Sequence, residues 1–272
     1  MSSSSVWSRN VGCAFRPGVS TAHKWQSIVK RGTLLALREA RKKGRAFVRA
    51  IELSSGEERP IDAFGSGDEL RRAAADAARS DRSGIVAVDG KNWFLEVHNA
   101  PPDLRIVGAV HIAQSLARMA ACADYRVTVI DPRGAFATAE RFPDVALSRD
   151  WPDETIVKAP LGWRSAVVVL THDPKIDDPA LLAALNSDCF YVGALGSKKT
   201  HAARLARLRS LGVDDKQLAR IHGPVGLAIG ARSPAEIAIS IVAEMTMRLR
   251  TDAGWERSDV RATAVTGISP RT

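Results

Sequence analysis

Leu104-Arg105-Ile106-Val107-Gly108-Ala109-Val110-His111-Ile112-Ala113 decides the fold. A mostly apolar strand runs into a glycine turn, and the turn opens the helical run His111–Cys122. This is the layout of the dinucleotide-binding fingerprint G-x-G-x-x-G/A. Its glycines permit a tight turn and bring backbone amides at a helix start close to a pyrophosphate. Gly108 and Ala113 occupy the first and last fingerprint positions, but the middle position is Val110. The frame predicts a nucleotide site with an altered phosphate loop, in which Val110 hinders close approach.

Downstream of this stretch the pattern alternates strand and helix. Strands are expected at Leu104–Ala109, Arg126–Asp131, Val145–Ser148, Ala166–Thr171 and Cys189–Ala194. Helices are expected at His111–Cys122, Asp178–Asn186, Lys198–Leu211 and Pro234–Arg250. Val167-Val168-Val169-Leu170 is apolar on both faces, as in a parallel sheet covered by helices on either side. Ser233-Pro234-Ala235-Glu236 reads as a capping box with proline at the first helical position. Alternation of this kind predicts an α/β, Rossmann-like doubly wound parallel sheet over residues 101–250.

Upstream the pattern differs. Asn99-Ala100-Pro101-Pro102-Asp103 marks a connector, because prolines cannot continue a ladder. Residues 27–100 predict a smaller α+β domain. It comprises a helix over Ser27–Lys43 with an apolar stripe at Ile28, Leu34, Leu35 and Leu37, a strand over Ala46–Leu53, and a helix over Asp68–Arg79. A hairpin then turns at Asp89-Gly90, the dipeptide that favours a type I′ turn. Residues 1–26 are expected to be irregular, and residues 251–272 a mobile polar tail.

Composition narrows the function. The chain has 272 residues, 45% of them hydrophobic, and a formal net charge of +9, a balance that favours anionic partners. The densest basic run is Arg38, Arg41, Lys42, Lys43, Arg45 and Arg49, read as the solvated face and C-terminal end of a helix. No nucleic-acid signature or interleaved aromatic residue accompanies it, so no nucleic-acid partner is expected. No apolar run is long enough to span a membrane, and Met1–Ser5 lacks the pattern of a secretory signal. The three cysteines, Cys13, Cys122 and Cys189, lie far apart and form no C-x-x-C pair. That spacing supports neither a disulfide framework nor a zinc site and fits a reducing cytoplasm.

In a doubly wound sheet, ligands sit beyond the C-terminal ends of the strands, where strand order reverses. Three loops are expected to converge there. The first holds Gly108, Val110 and His111, with His111 either a phosphate donor or a polar residue starting a helix. Asp131 stands where an acid bonds ribose hydroxyls, unless it is a turn residue before Pro132; Arg133 could pair with a phosphate or carboxylate. The second loop carries His172 and Asp173 at a strand end, a general base or ligand contact in one reading and a turn before Pro174 in the other. The third holds Gly193, Gly196, Ser197, Lys198, Lys199 and Thr200, a second phosphate cradle in which glycines permit close backbone approach. With Val110 in the first loop, this cradle becomes the stronger candidate. His222 lies in a further glycine-rich segment that could close the pocket, although a lone histidine is more often structural. There is no serine nucleophile elbow and no metal-spaced His/Glu cluster, so no catalytic residue or metal ligand is assigned.

Several of these runs carry a specific likeness: Ile106–Gln114, Val129–Arg133, Phe136–Pro143, Leu170–Lys175, Phe190–His201 and Gly226–Ala231. Together they resemble the C-terminal half of the XdhC/CoxI family, accessory proteins of molybdenum hydroxylases such as xanthine dehydrogenase and carbon monoxide dehydrogenase. The resemblance covers residues 104–250. It implies a cytoplasmic, Rossmann-type protein that binds the molybdenum cofactor, as molybdopterin or its dinucleotide. It further implies that the protein protects the cofactor during sulfuration, in concert with a cysteine desulfurase, and inserts it into an apo-hydroxylase. A homodimer accords with that role. The Gly-Gly-Cys segment of longer family members has no counterpart here; Cys13, near Arg16-Pro17-Gly18, is a faint echo. A phosphorylated anion suits a basic chain with two amide-rich loops and no catalytic dyad. The alternative is an NAD(P)-dependent oxidoreductase with His172 as proton donor.

Overall fold

The computed structural model describes residues 31–42, 44–62 and 67–251. The segment 1–26 with Cys13, expected to be irregular, the start of the first predicted helix, Lys43 and the predicted tail beyond Thr251 lie outside the described residues.

The chain builds two sheets. The first belongs to a small antiparallel unit, with elements α1 (Arg31–Lys42), β1 (Phe47–Glu52), β2 (Glu58–Ile61), α2 (Glu69–Ser80), β3 (Gly84–Val88) and β4 (Lys91–His98). Its strand order is β2-β1-β4-β3. Asp89 and Gly90 both take positive φ, 51° and 70°, so the expected hairpin turn forms between β3 and β4. Asp68 caps α2 by accepting the Arg71 amide, and Leu70, Ala74 and Ala78 bury one helix face against Val48, Ala50, Trp93 and Leu95.

Two expectations for this unit change. The α1 stripe is not a core stripe, since Leu34 and Leu35 are exposed. The basic run also divides. Arg38, Arg41 and Lys42 lie exposed on α1, whereas Arg49 is buried within β1, where Glu58 at 2.7 Å and Glu96 at 3.0 Å neutralise it.

Residues Asn99–Pro102 then lead to a parallel unit. Its elements are β5 (Asp103–Val107), α3 (His111–Cys122), β6 (Arg126–Ile130), β7 (Ala146–Ser148), α4 (Pro152–Lys158), β8 (Ser165–Val169), α5 (Pro174–Leu185), β9 (Tyr191–Ala194), α6 (Lys198–Ser210), α7 (Asp215–Leu218), β10 (Ile221–His222) and α8 (Pro234–Thr251). The six strands are parallel in the order β10-β9-β8-β5-β6-β7. This is the doubly wound order 3-2-1-4-5-6, read from its other end.

Side-chain alternation assigns the faces. Ala166 and Val168 of β8, with Leu104, Ile106 and Val129, pack in one core with Leu116 of α3 and Ile241 and Met245 of α8. Val167 and Val169, with Val107 and Ile130, pack in the other with Ile156 of α4, Leu181 of α5 and Leu208 of α6. Every residue of β8 is buried, as a strand between two helical layers must be. The predicted capping box of α8 is present. Ser233 Oγ accepts the Glu236 amide at 3.2 Å, and the Glu236 carboxylate accepts the Ser233 amide at 2.9 Å.

No helix among the described residues is long and apolar enough to cross a membrane.

Candidate functional site

Strand order reverses between β5 and β8, which pair in register from Asp103↔Ser165 to Val107↔Val169. The connections that leave them go to opposite faces, so the loops after β5 and β8 part at this point and open a crevice.

The first loop is determined residue by residue. Gly108 takes φ +104°, and a Cβ there would lie 2.5 Å from Thr171 Cγ2; only glycine fits. Its amide bonds Ile130 O at 2.8 Å, tying the turn to β6. Ala113, the last fingerprint position, is fully buried against the sheet and allows close helix–strand packing. Val110 needs no glycine. It takes an extended conformation, φ −85° and ψ 177°, and is half-buried against the core.

The consequence lies at the start of α3. Val110 is the N-cap residue and makes no side-chain cap bond. The first-turn amides of α3 therefore have no side-chain acceptor from the cap position, with the positive end of the helix dipole behind them. His111, exposed at the first position, stands beside them.

The next two helices along the edge differ. Asp173 caps α5, its Oδ1 accepting the Lys175 amide at 3.0 Å. Ser197 caps α6, accepting the Thr200 amide at 3.2 Å and sharing a hydroxyl contact of 3.0 Å with Thr200 Oγ1. The second cradle thus spends its hydroxyls on its own helix. Gly196 takes φ +143°, which bends the chain there, and Lys198 and Lys199 are exposed. Gly193 lies inside β9 rather than in the loop. A Cβ there would meet Val225 at 2.6 Å and the Tyr191 ring at 2.8 Å, so its glycine serves packing. Relative to the sequence reading, the uncapped amides move back to the Gly108 turn.

Asp131 is fully buried at the end of β6 and both its oxygens are engaged. Oδ2 accepts the Ala109 amide at 2.8 Å and Arg133 Nη2 at 2.9 Å; Oδ1 accepts the Arg133 amide at 3.0 Å and Nε at 2.9 Å. Burial alone would raise this carboxyl, but the bonds from Arg133 and the Ala109 amide outweigh it and hold it below its ordinary value. Asp131 braces the glycine turn, which leaves little of it for a ribose hydroxyl. Arg133 is partly exposed, lies 4.8 Å over the Phe136 ring, and feels the charges of Asp173 and Asp177 across the crevice. It brings a cation to the crevice mouth.

His172 is exposed at the end of β8. Behind it, the Thr171 hydroxyl donates to the buried Asp177, whose carboxyl is raised mainly by burial. Arg204 of α6, also buried, reaches Asp177 at 3.6 Å and the Leu195 carbonyl at 2.9 Å, which fixes the loop after β9 to the base of the crevice.

Sequence reading missed the cluster that holds the glycine-rich segment. Glu244 of α8 accepts from Tyr191 Oη at 2.5 Å and the Gly226 amide at 2.8 Å, and pairs with His222 Nδ1 at 3.0 Å. The Tyr191 and His222 rings stack at 4.7 Å. Burial pushes the Tyr191 phenol up, and its bond to Glu244 adds to this. A signal existed: Glu244 interrupts the apolar stripe that α8 otherwise presents at Ala238, Ile241 and Met245. Through Glu244 and Tyr191, His222 ties this segment to α8 and β9.

Comparison with known proteins agrees with this geometry. A family model described as the XdhC Rossmann domain matches residues 104–245, more than half of the chain. The uncharacterized protein YqeB of Escherichia coli is 33% identical over 187 residues, covering 65% of this chain and 32% of that protein. The molybdenum cofactor insertion chaperone PaoD of the same organism is 33% identical over 142 residues, 52% of this chain and 38% of PaoD. A protein of Bacillus subtilis named as a probable xanthine dehydrogenase subunit is 33% identical over 155 residues, 57% of this chain and 45% of that protein. The chain thus spans less than half the length of these relatives. A crystal structure of a xanthine dehydrogenase from Bacillus halodurans has the same fold, with a TM-score of 0.63 at 23% identity over 81% of this chain and 67% of that one. With the doubly wound strand order, the modified glycine turn and the family match over residues 104–245, the chain belongs to the XdhC Rossmann domain family.

Proposed function

We propose that this protein is a molybdenum cofactor-binding accessory protein, which carries the cofactor as cargo and passes it to an apo-molybdenum hydroxylase of the xanthine dehydrogenase type. The observation that carries the reading is the uncapped start of α3 at the strand-order reversal, beside Arg133. A phosphorylated ligand placed there would accept the first-turn amides of α3 and face the Arg133 guanidinium. His111, Lys198 and Lys199 would add positive or hydrogen-bonding groups at the rim. A relative named as a molybdenum cofactor insertion chaperone supports the choice of ligand.

The finer parts of the proposal are that the cofactor is held during sulfuration with a cysteine desulfurase as donor, and that the protein works in the cytoplasm as a homodimer. It takes molybdopterin or the dinucleotide form and acts as a carrier rather than as an enzyme. The strand order is also that of dinucleotide-binding domains, which makes NAD(P) the competing ligand. Asp131, with both oxygens engaged, is poorly placed to bond a ribose hydroxyl and favours the first reading.

Gel filtration of the protein with cofactor released anaerobically from a hydroxylase tests this directly. Co-elution is expected, together with faster reconstitution of the apo-hydroxylase. Free elution of the cofactor with no gain in reconstitution would overturn the proposal. Saturable enhancement of NADH fluorescence without cofactor retention would establish the competing ligand.

A further inference from the structure

A cavity of about 550 Å³ lies at the opposite edge of the parallel sheet, where the two units of the chain meet. Its walls are the connector from Asn99 to Pro102, Tyr125 before β6, Arg164 before β8, Arg250 near the end of α8, and Asp81 at the end of α2. It lies beyond the N-terminal ends of β5, β6 and β8, whereas the cofactor crevice lies beyond their C-terminal ends.

The hydrogen bonding of this cavity is incomplete. Asp81 is saturated: Oδ1 accepts from Asn99 Nδ2 at 2.7 Å, and Oδ2 from Arg250 Nη1 at 2.6 Å and Arg164 Nη2 at 3.5 Å. Two guanidinium groups therefore share one carboxylate. Asp124, the other acid of the lining, is exposed. Arg164 Nε and Nη1, Tyr125 Oη and Asn99 Oδ1 are buried with no hydrogen-bond partner among the described residues. Tyr125 is only 6% exposed, and the Arg164 side chain only 12%. Native chains leave few buried donors unpaired, and here two kinds of donor and one acceptor belong to residues around a single cavity. The Tyr125 hydroxyl also feels the charges of both Arg164 and Arg250, which places it among them.

We propose that this cavity binds a small oxyanion carrying a hydroxyl group, either a phosphate or a hydroxycarboxylate. The free guanidinium nitrogens of Arg164 and the Tyr125 hydroxyl donate to the anionic oxygens, and Asn99 Oδ1 accepts from the ligand's hydroxyl. The volume falls in the range of small-molecule sites. The ligand joins the connector to the parallel unit, since Asn99 lies in the connector and Tyr125 and Arg164 on the parallel side. The proposal is independent of what the α3 crevice binds.

Calorimetric titration of the full chain with inorganic phosphate and, separately, citrate, at constant ionic strength against chloride, tests it. Saturable binding of at least one is expected, and which one binds identifies the source of the oxyanion. Tyr125→Phe removes one hydroxyl and should weaken binding about tenfold, the usual effect of losing one hydrogen bond to a charged group. Arg164→Lys keeps the charge but loses the fork, and should weaken binding at least as much. Arg133→Ala removes heat that belongs to the α3 crevice, and the binding that remains in this background should still depend on Tyr125. No saturable heat with either anion overturns the proposal, as does binding that, in the Arg133→Ala background, is absent or survives Tyr125→Phe intact.

Discussion

Gly108 and Asp131 show how single residues make the crevice. A Cβ at Gly108 would meet Thr171 Cγ2 at 2.5 Å, and the residue's φ of +104° is one that side chains disfavour. Gly108→Ala should therefore destabilise the protein by about 2 kcal/mol or more, measured by urea unfolding. A loss below about 0.5 kcal/mol would show that the turn relaxes freely. Asp131 makes a pH-dependent contribution. Its carboxyl sits below the ordinary value of 3.8 in the folded chain. The stability it supplies is present above 3.8 and is lost as pH falls through the lower folded value. Asp131→Asn should cost about 1–3 kcal/mol at neutral pH, and the gap from the natural protein should close in acid. A gap that stays constant from neutral pH into acid would mean that the charge of Asp131 is not what braces the turn.

At the scale of elements, the difference between α3 and its neighbours α5 and α6 is the main finding. Asp173 and Ser197 occupy the cap positions that Val110 leaves without an acceptor. Val110→Asp should place a carboxylate on the first-turn amides, keep the helical signal in circular dichroism, and weaken cofactor retention more than tenfold, because an internal anion then competes with the ligand. Retention unchanged in a folded variant would move the phosphate away from α3. Elements with strong periodicity were legible in the chain. The β5 and α3 pair, the two-faced apolar run of β8 and the capping box of α8 all form as read. Illegible elements were short or polar. The Glu58-Arg59-Pro60-Ile61 run shows no clean alternation, yet it pairs as an edge strand, where Pro60 is tolerated. Two residues, Ile221 and His222, suffice for β10 because β9 is already in place. Helix α5 begins at Pro174, not Asp178, since Asp173 caps it and Pro174 takes the first-turn position. In the site, Gly108 and Arg133 were legible as residue types at fixed positions. The closure of Asp131 onto Ala109 was not, because it depends on a contact between residues 22 apart.

Across the whole molecule, the two sheets have separate apolar cores, and polar residues help to join them. Trp163, from the parallel side, packs against the antiparallel core. Asp81 is the polar link: it takes the left-handed conformation that ends α2, with φ 53° and ψ 39°, and it accepts from Arg164 and Arg250. One residue thus terminates a helix of one unit and binds the other unit electrostatically. Melting the last turn of α2 removes the carboxylate from two arginines, and separating the units exposes that turn. The two units should therefore unfold as one cooperative transition, with a single calorimetric peak whose van't Hoff and total enthalpies agree. Asp81→Asn keeps the backbone conformation, which asparagine tolerates, but leaves two cations facing each other. It should cost about 2–4 kcal/mol and split or broaden the peak. A single sharp peak at an unchanged temperature would assign the coupling to Trp163 and the apolar contacts instead. The helix cap at Asp81 thereby sets the thermodynamic size of the folding unit, so that two sheets behave as one body on heating.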